Sequence, residues 1–445
     1  MSSPSPSTTS SQASFLLDLA ILAIFALIFS VLFARLNLSV VAGQILAGVI
    51  VGPYVLGWVK DPLVLNQLSE IGVVLLLFII GLELDPSELR RMSWSIISLT
   101  ALEVSIAFLL GYLASYLLGL DFLDSVIFSM SASITSTAIV GKIFLSRRIL
   151  KSPESGFLMG LLVVEDMFAV VFLIALSALT SSNIGAFPFY AIGGSASSRG
   201  FVAGVEAIAG GLALVGIGYA VAHYLAPKII NYLSYFDDEF EEIPFLFGLG
   251  LAFVFAVIAA EFGYSPGTGA FIVGLAIRGK QSKFLSKRIV PVKDLFLVLF
   301  FVSMGGLIDP SPALAIGFVV IIALGLLVLG KFAGGYSVGK ILNFANRNLK
   351  LKTNREAKRG TFALDGTLDS PKTFGAWFIP RGEFSLIIGQ FALSIGLIDQ
   401  SLFSLIGISV LATTLVASIL LRVTEPKRAE AIFAFKGKQD FDEMQ

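Results

Sequence analysis

Residues Leu161 to Phe172 read Leu-Leu-Val-Val-Glu-Asp-Met-Phe-Ala-Val-Val-Phe, so Glu165 and Asp166 sit side by side within an apolar run. A charged side chain at the centre of a bilayer costs at least about 2.5–3.5 kcal/mol, and such groups persist where they face a cavity, pair with a cation, or carry ions and protons. The plainer alternative is a buried structural ion pair. Binding a small monovalent cation inside a membrane takes hard oxygen ligands and at least one negative charge to replace the lost hydration. Asp166 or Glu165 supplies the charge. Neutral oxygens are at hand in Ser129-Met130-Ser131-Ala132-Ser133-Ile134-Thr135-Ser136-Thr137, through the hydroxyls of Ser133, Thr135, Ser136 and Thr137 and through unwound backbone carbonyls. Hydrogen bonding between helices is the competing reading of that run. Burial disfavours the ionised carboxyl, so Na+ or K+ and protons can compete for Asp166 and Glu165 near neutral pH. A site loaded with cation on one side and discharged by protons on the other performs antiport.

Two adjacent buried anions call for a basic partner. Lys331, in Val328-Leu329-Gly330-Lys331-Phe332, lies deep in an apolar segment and fills that role, with snorkelling to the interface as the alternative. Arg381 and Glu383 lie two apart in Phe378-Ile379-Pro380-Arg381-Gly382-Glu383-Phe384, where a self-neutralising salt bridge and a gating or helix-end role are both open. Glu103 and Glu261 are further acids in apolar segments, whereas Glu83 reads as a boundary residue. The lone histidine, His223, argues against a histidine-based metal site.

The elements that carry these residues follow from composition. The 445-residue chain is 56% hydrophobic and 14% charged, with mean hydropathy +0.89, whereas about 25% of residues are charged in an ordinary soluble domain. Apolar runs of bilayer length recur throughout, giving an all-α polytopic membrane protein. About thirteen transmembrane helices are expected, near 15–34, 40–57, 69–84, 94–118, 122–145, 155–180, 201–228, 244–262, 265–278, 291–308, 312–342, 373–397 and 401–422. Residues 1–14, rich in Ser, Thr and Pro and free of basic residues, read as a disordered tail and lack the positive start of a signal peptide. There is no cysteine, hence no disulfide or thiol chemistry. Basic residues gather after spans three, five, nine and eleven, on one side if every span crosses, which predicts an outside N-terminus and a cytoplasmic C-terminus in the cell membrane. The acidic run at residues 237–242 reads as a solvated surface, with a regulatory or pH-sensing role as the alternative.

The polar fifth span and the Pro- and Gly-bearing twelfth occupy corresponding places in two halves. Paired interrupted helices of this kind point to a midplane site in an inverted-repeat transporter. The division is a first repeat over about 15–180, a linker helix over 201–228 and a second repeat over about 244–422. These form a membrane domain over 15–423, followed by a cytoplasmic tail at 424–445. Span four of one half and span eleven, the fourth of the other, would make Glu103 and Lys331 pseudosymmetric.

On four stretches the chain resembles the monovalent cation:proton antiporter family, in the branch of Kef-type and NapA-type transporters. They are Gly81-Leu82-Glu83-Leu84; Ser131 to Val140 with Val164-Glu165-Asp166; Ala260 to Phe271; and Arg381-Gly382-Glu383-Phe384-Ser385. The resemblance implies inverted repeats with two crossing discontinuous helices (the NhaA/NapA-like fold), a homodimer, and elevator-type alternating access. It makes Asp166 the acid that binds cation and proton in turn, and Lys331 the lysine that pairs with the preceding acid in electrogenic members. Glu165 departs from the Asp, Asn or Gln usual there, and about twenty residues follow Leu421 without a Gly-rich phosphate loop, so no nucleotide-binding domain is expected in this chain. The expected function is Na+ or K+ exchange for H+, with no cofactor. A potassium efflux channel-like protein and a sodium-coupled symporter of an organic anion are the alternatives. No nucleophile or metal constellation suggests an enzyme. The expected partners are the lipid bilayer, alkali cations, protons and a second copy of the chain, with no nucleic acid.

Overall fold

Backbone polar groups in hydrocarbon must be satisfied within the chain, and the apolar runs answer this by forming helices. The computed structural model describes residues 6–36, 38–83, 94–146, 153–181, 242–261, 266–277, 280–352 and 371–424, with short pieces between 216 and 232. In order these are α1 (Pro6–Arg35), α2 (Val40–Val51), α3 (Pro62–Glu83), α4 (Trp94–Leu117), α5 (Phe122–Ser133), α6 (Thr137–Ser146) and α7 (Pro153–Ser181). After the short pieces come α8 (Glu242–Glu261), α9 (Pro266–Ala276), α10 (Lys280–Gly306), α11 (Ser311–Ile316), α12 (Phe318–Lys352), α13 (Pro371–Trp377), α14 (Glu383–Ser394) and α15 (Gln400–Thr424).

Six of these stretches are long and apolar enough to cross a bilayer: Phe15–Arg35, Pro62–Leu82, Trp94–Leu117, Gly156–Leu173, Phe318–Phe344 and Gln400–Leu421. Shorter apolar helices accompany them, among them α5, α9 and α14. The chain is a multi-pass, all-helical membrane protein. One expectation is corrected. Residues 1–14 do not form a disordered tail throughout, because α1 begins at Pro6 and runs unbroken into the apolar segment. Proline fits the first turn of a helix, where its missing N–H has no partner to lose. The expected linker helix at 201–228 and the acidic run at 237–242 fall almost wholly outside the described residues, as does the tail after Thr424. Glu261, at the end of α8, is exposed.

The chain divides into two units. One comprises residues 1–26, 48–91 and 170–307 and holds α3, α8, α9 and α10. Phe78, Ile79, Phe255, Val273, Leu285 and Ile289 form its core. Glycine lets α3 and α9 meet backbone to backbone: a Cβ on Gly81 would lie 2.6 Å from the Phe271 carbonyl oxygen, and one on Gly274 would collide with that of Phe78. Without a hydrophobic drive between helices in lipid, such close approach is what packs them.

The other unit comprises residues 27–47, 92–169 and 308–445. Its core joins Phe144, Leu158, Leu161, Val338, Phe374, Trp377 and Phe378. Here α4 packs along α12 through Gly330 and Gly334, whose Cβ positions would lie 3.1 Å from Leu110 Cβ and 2.9 Å from the Glu103 carbonyl oxygen. The two spans expected to be interrupted are each broken: α5 and α6 are separated by Ile134–Ser136, and α13 and α14 by Phe378–Gly382.

Candidate ion-binding site

A break inside a membrane helix leaves backbone donors and acceptors without their intrahelical partners. In the second unit the two breaks satisfy one another. Ser136 N–H donates to the Pro380 carbonyl at 2.8 Å, and Thr135 Oγ1 donates to the Phe378 carbonyl at 3.0 Å. Ser385 Oγ donates to the Ser131 carbonyl at 2.7 Å, while Thr414 Oγ1, on α15, donates to the Arg381 carbonyl at 2.7 Å. Pro380 has no N–H to strand, and Gly382 is needed for the close approach, since a Cβ there would run into the Ser136 side chain. The polar composition of these segments is thus what allows two unwound backbones to cross while fully buried.

Helix α7 brings the acidic pair to this crossing. Glu165 is fully buried and Asp166 nearly so. Glu165 Oε2 accepts the Thr135 N–H at 2.7 Å, a donor that exists only because the helix is open at that residue. Asp166 Oδ2 accepts the Thr137 hydroxyl at 2.8 Å, at the first residue of α6. The N-terminal ends of helices carry partial positive charge and favour anions. Glu383 follows the same rule in the first turn of α14, accepting the Ser136 hydroxyl at 2.8 Å.

Lys331, from α12, is fully buried. Its Nζ donates to the Ser133 carbonyl at 2.7 Å, at the C-terminal end of α5 where cations are favoured, and lies 5.5 Å from the Phe378 ring centroid. It pairs with two carboxylates: Glu103 Oε1 at 2.7 Å and Glu165 Oε2 at 3.4 Å. Arg381 is buried and donates to Ser409 Oγ at 3.3 Å.

Glu165, Asp166, Thr135, Thr137, Ser133 and Lys331 therefore meet at one place. Two expectations change in detail. Ser133 enters through its carbonyl, because its hydroxyl donates back to the Ser129 carbonyl at 2.6 Å, the usual i−4 bond of a helical serine. Ser136 holds the second break, bonded to Glu383 and to the Ile139 N–H at 3.2 Å. Of the four hydroxyls, that of Thr137 meets Asp166, and those of Thr135, Ser133 and Ser136 hold backbone and Glu383. Arg381 and Glu383 do not bridge each other; each has its own partner. Glu103 is the residue whose role sequence reasoning missed: in place of a symmetry mate of Lys331, it is its nearest charged neighbour. The available signal was a lone acid and a lone lysine in two apolar spans, a combination that burial alone would forbid.

The arrangement can hold a monovalent cation or protons on adjacent buried carboxylates. The sodium/hydrogen exchanger transmembrane family matches residues 20–424. The chain belongs to this family of monovalent cation:proton antiporters. Among its relatives, the K+/H+ antiporter subunit KhtU of Bacillus subtilis is 26% identical over 342 residues, covering 75% of this chain and 73% of KhtU. The ammonium/H+ antiporter subunit AmhT of Alkalihalophilus pseudofirmus is 28% identical over 339 residues, 75% of this chain and 82% of AmhT. The glutathione-regulated potassium-efflux protein KefC of Klebsiella pneumoniae is 30% identical over 276 residues, and that match spans only 42% of KefC and 62% of this chain. The fold is that of the sodium proton antiporter MjNhaP1 from Methanocaldococcus jannaschii, with a TM-score of 0.58 at 17% identity over 92% of this chain and 97% of that one.

Proposed function

We propose that this family member is a secondary-active antiporter that exchanges Na+ or K+ for protons, with both competing for Asp166 and Glu165. The observation that carries the reading is the acidic pair, buried at a crossing of two interrupted helices, with Thr135 N–H on Glu165 and Thr137 Oγ1 on Asp166. An ionised pair there carries charge that lipid cannot solvate, so a counter-charge must arrive with the cargo. A cation brings it from one side, and protons bring it from the other. The relatives' names speak of potassium, ammonium and sodium exchange for protons, which supports the reaction class and leaves the cargo to experiment.

The wider arrangement belongs to the same proposal. The unit holding the crossing moves as an elevator past its partner unit, the two breaks belong to inverted repeats, and the protein works as a homodimer with its N-terminus outside and its C-terminus in the cytoplasm. The domain limits given above serve as the working division. The test is proton flux in proteoliposomes bearing a pH gradient, on adding Na+, K+, Li+ or choline. Wild type is expected to respond to one or two alkali cations and not to choline. Asp166→Asn is expected to fold and give no response, and retained cation-coupled flux in that variant would sink the mechanism.

A further inference from the structure

Lys331 is placed where it would neutralise Glu165, yet the better contact is with another acid. Its Nζ lies 2.7 Å from Glu103 Oε1, a full charge-assisted hydrogen bond, and 3.4 Å from Glu165 Oε2, beyond that range. The Glu103 contact is built by the packing of α4 on α12. Gly334, three residues after Lys331, brings the two helices so close that a Cβ would lie 3.0 Å from Glu103 Cγ and 3.1 Å from its Oε1. A Cβ on Gly330 would lie 3.3 Å from the Cα of Ala107, one turn after Glu103. Glu165 differs in kind. One of its oxygens takes the Thr135 N–H of the unwound segment, and Oε1 has no hydrogen-bond partner among the described residues.

We infer that Glu103 is the standing counter-ion of Lys331 and so leaves the charge of Glu165 available to the transported ions. The inference rests on the antiport reading. Charged groups facing the crossing are Glu103 on α4, Glu165 and Asp166 on α7, Lys331 on α12, and Arg381 with Glu383 at the second break. Glu103 cancels Lys331, and Arg381 offsets Glu383. Two negative charges remain, on Glu165 and Asp166. They take one cation in one direction and two protons in the other, each proton converting one carboxylate to its acid. One net positive charge crosses per cycle, and Lys331 stays protonated throughout. Glu103 is a positioning residue in this scheme: it touches neither cargo and sets how much charge the site presents.

The experiment measures the proton-to-cation ratio in proteoliposomes, by finding the membrane potential at which opposing cation and pH gradients give no net flux. Wild type gives two. Glu103→Gln moves Lys331 onto Glu165 and lowers the ratio to one, whereas Glu103→Asp keeps two. The double change Glu103→Gln with Lys331→Gln removes a neutral pair and holds the ratio at two, whatever happens to the rate. A ratio of two in folded Glu103→Gln, or of one in the double variant, overturns the inference; the double variant decides if Glu103→Gln does not fold. A wild-type protein that moves no protons with any alkali cation overturns the antiport reading itself and this inference with it. A coupled wild type whose ratio ignores Glu103 overturns only the role of Glu103.

Discussion

Replacing Lys331 with Gln removes an ammonium held between three acceptors: Glu103 Oε1, Glu165 Oε2 and the Ser133 carbonyl. Both carboxylates are fully buried, so neither can turn to water. Breaking a buried ion pair from one side costs about 3–5 kcal/mol, because the remaining charge is left without compensation. For domains of about 150–250 residues each kcal/mol moves the thermal midpoint by about 2–4 °C, and by less in a longer chain, so a fall of roughly 4–8 °C is expected here. Removing the acid as well takes out the pair as a neutral unit. The double variant Glu103→Gln with Lys331→Gln should recover about half of the loss or more, with a coupling of about 1–3 kcal/mol between the two sites. The sign of the pH dependence follows: the loss in Lys331→Gln is largest at high pH and shrinks as pH falls, since protonation discharges the stranded carboxylates. The assay is the midpoint of thermal unfolding in detergent across a pH series. A Lys331→Gln midpoint within about 1 °C of wild type, or a double variant as unstable as the two single losses added, would refute the pairing.

Gly382→Ala places a methyl group in the Ser136 side chain and should separate Ser136 from Glu383, lowering both transport and thermal midpoint; unchanged values for both would show that the crossing tolerates the added atom. Thr414→Val removes the donor to the Arg381 carbonyl in the second break and should cost about 1–3 kcal/mol, read as a lower midpoint, whereas Thr414→Ser should retain most of it. Gly274→Val, in the other unit, drives a side chain against the Phe78 carbonyl and should reduce the yield of folded protein without changing the proton-to-cation ratio of what remains; a changed ratio would contradict the assignment of coupling to the crossing.

The two interruptions were legible because the residues that break a membrane helix also supply its repair. Pro380 and Gly382 mark one break, and the Ser and Thr run through Thr137 marks the other. The acidic pair was legible for the same physical reason, as charge in an apolar span demands an explanation. The partner of Lys331 was not. Glu103 and Glu165 lie on different helices, and the choice between them rests on how closely α4 and α12 approach at Gly334, which spacing along the chain does not encode. Nor was the division of labour among the hydroxyls. Ser133 turns back to Ser129 within its own helix, whereas Thr137 reaches across to Asp166, and only the direction of each side chain separates the two. At the N-terminus composition misled, since a Ser- and Thr-rich stretch that begins with Pro6 simply extends α1.

Competition between cation and proton for one buried acidic pair is the central claim, and titration calorimetry of purified wild type with the cation that drives flux tests it most directly. Repeating the titration in two buffers of different ionisation enthalpy counts the protons released per cation bound. The account predicts proton release near neutral pH, lost together with cation binding in Asp166→Asn. Cation binding by wild type with no proton release at any pH between about 6 and 9 would contradict it, because the carboxylates would then not be shared.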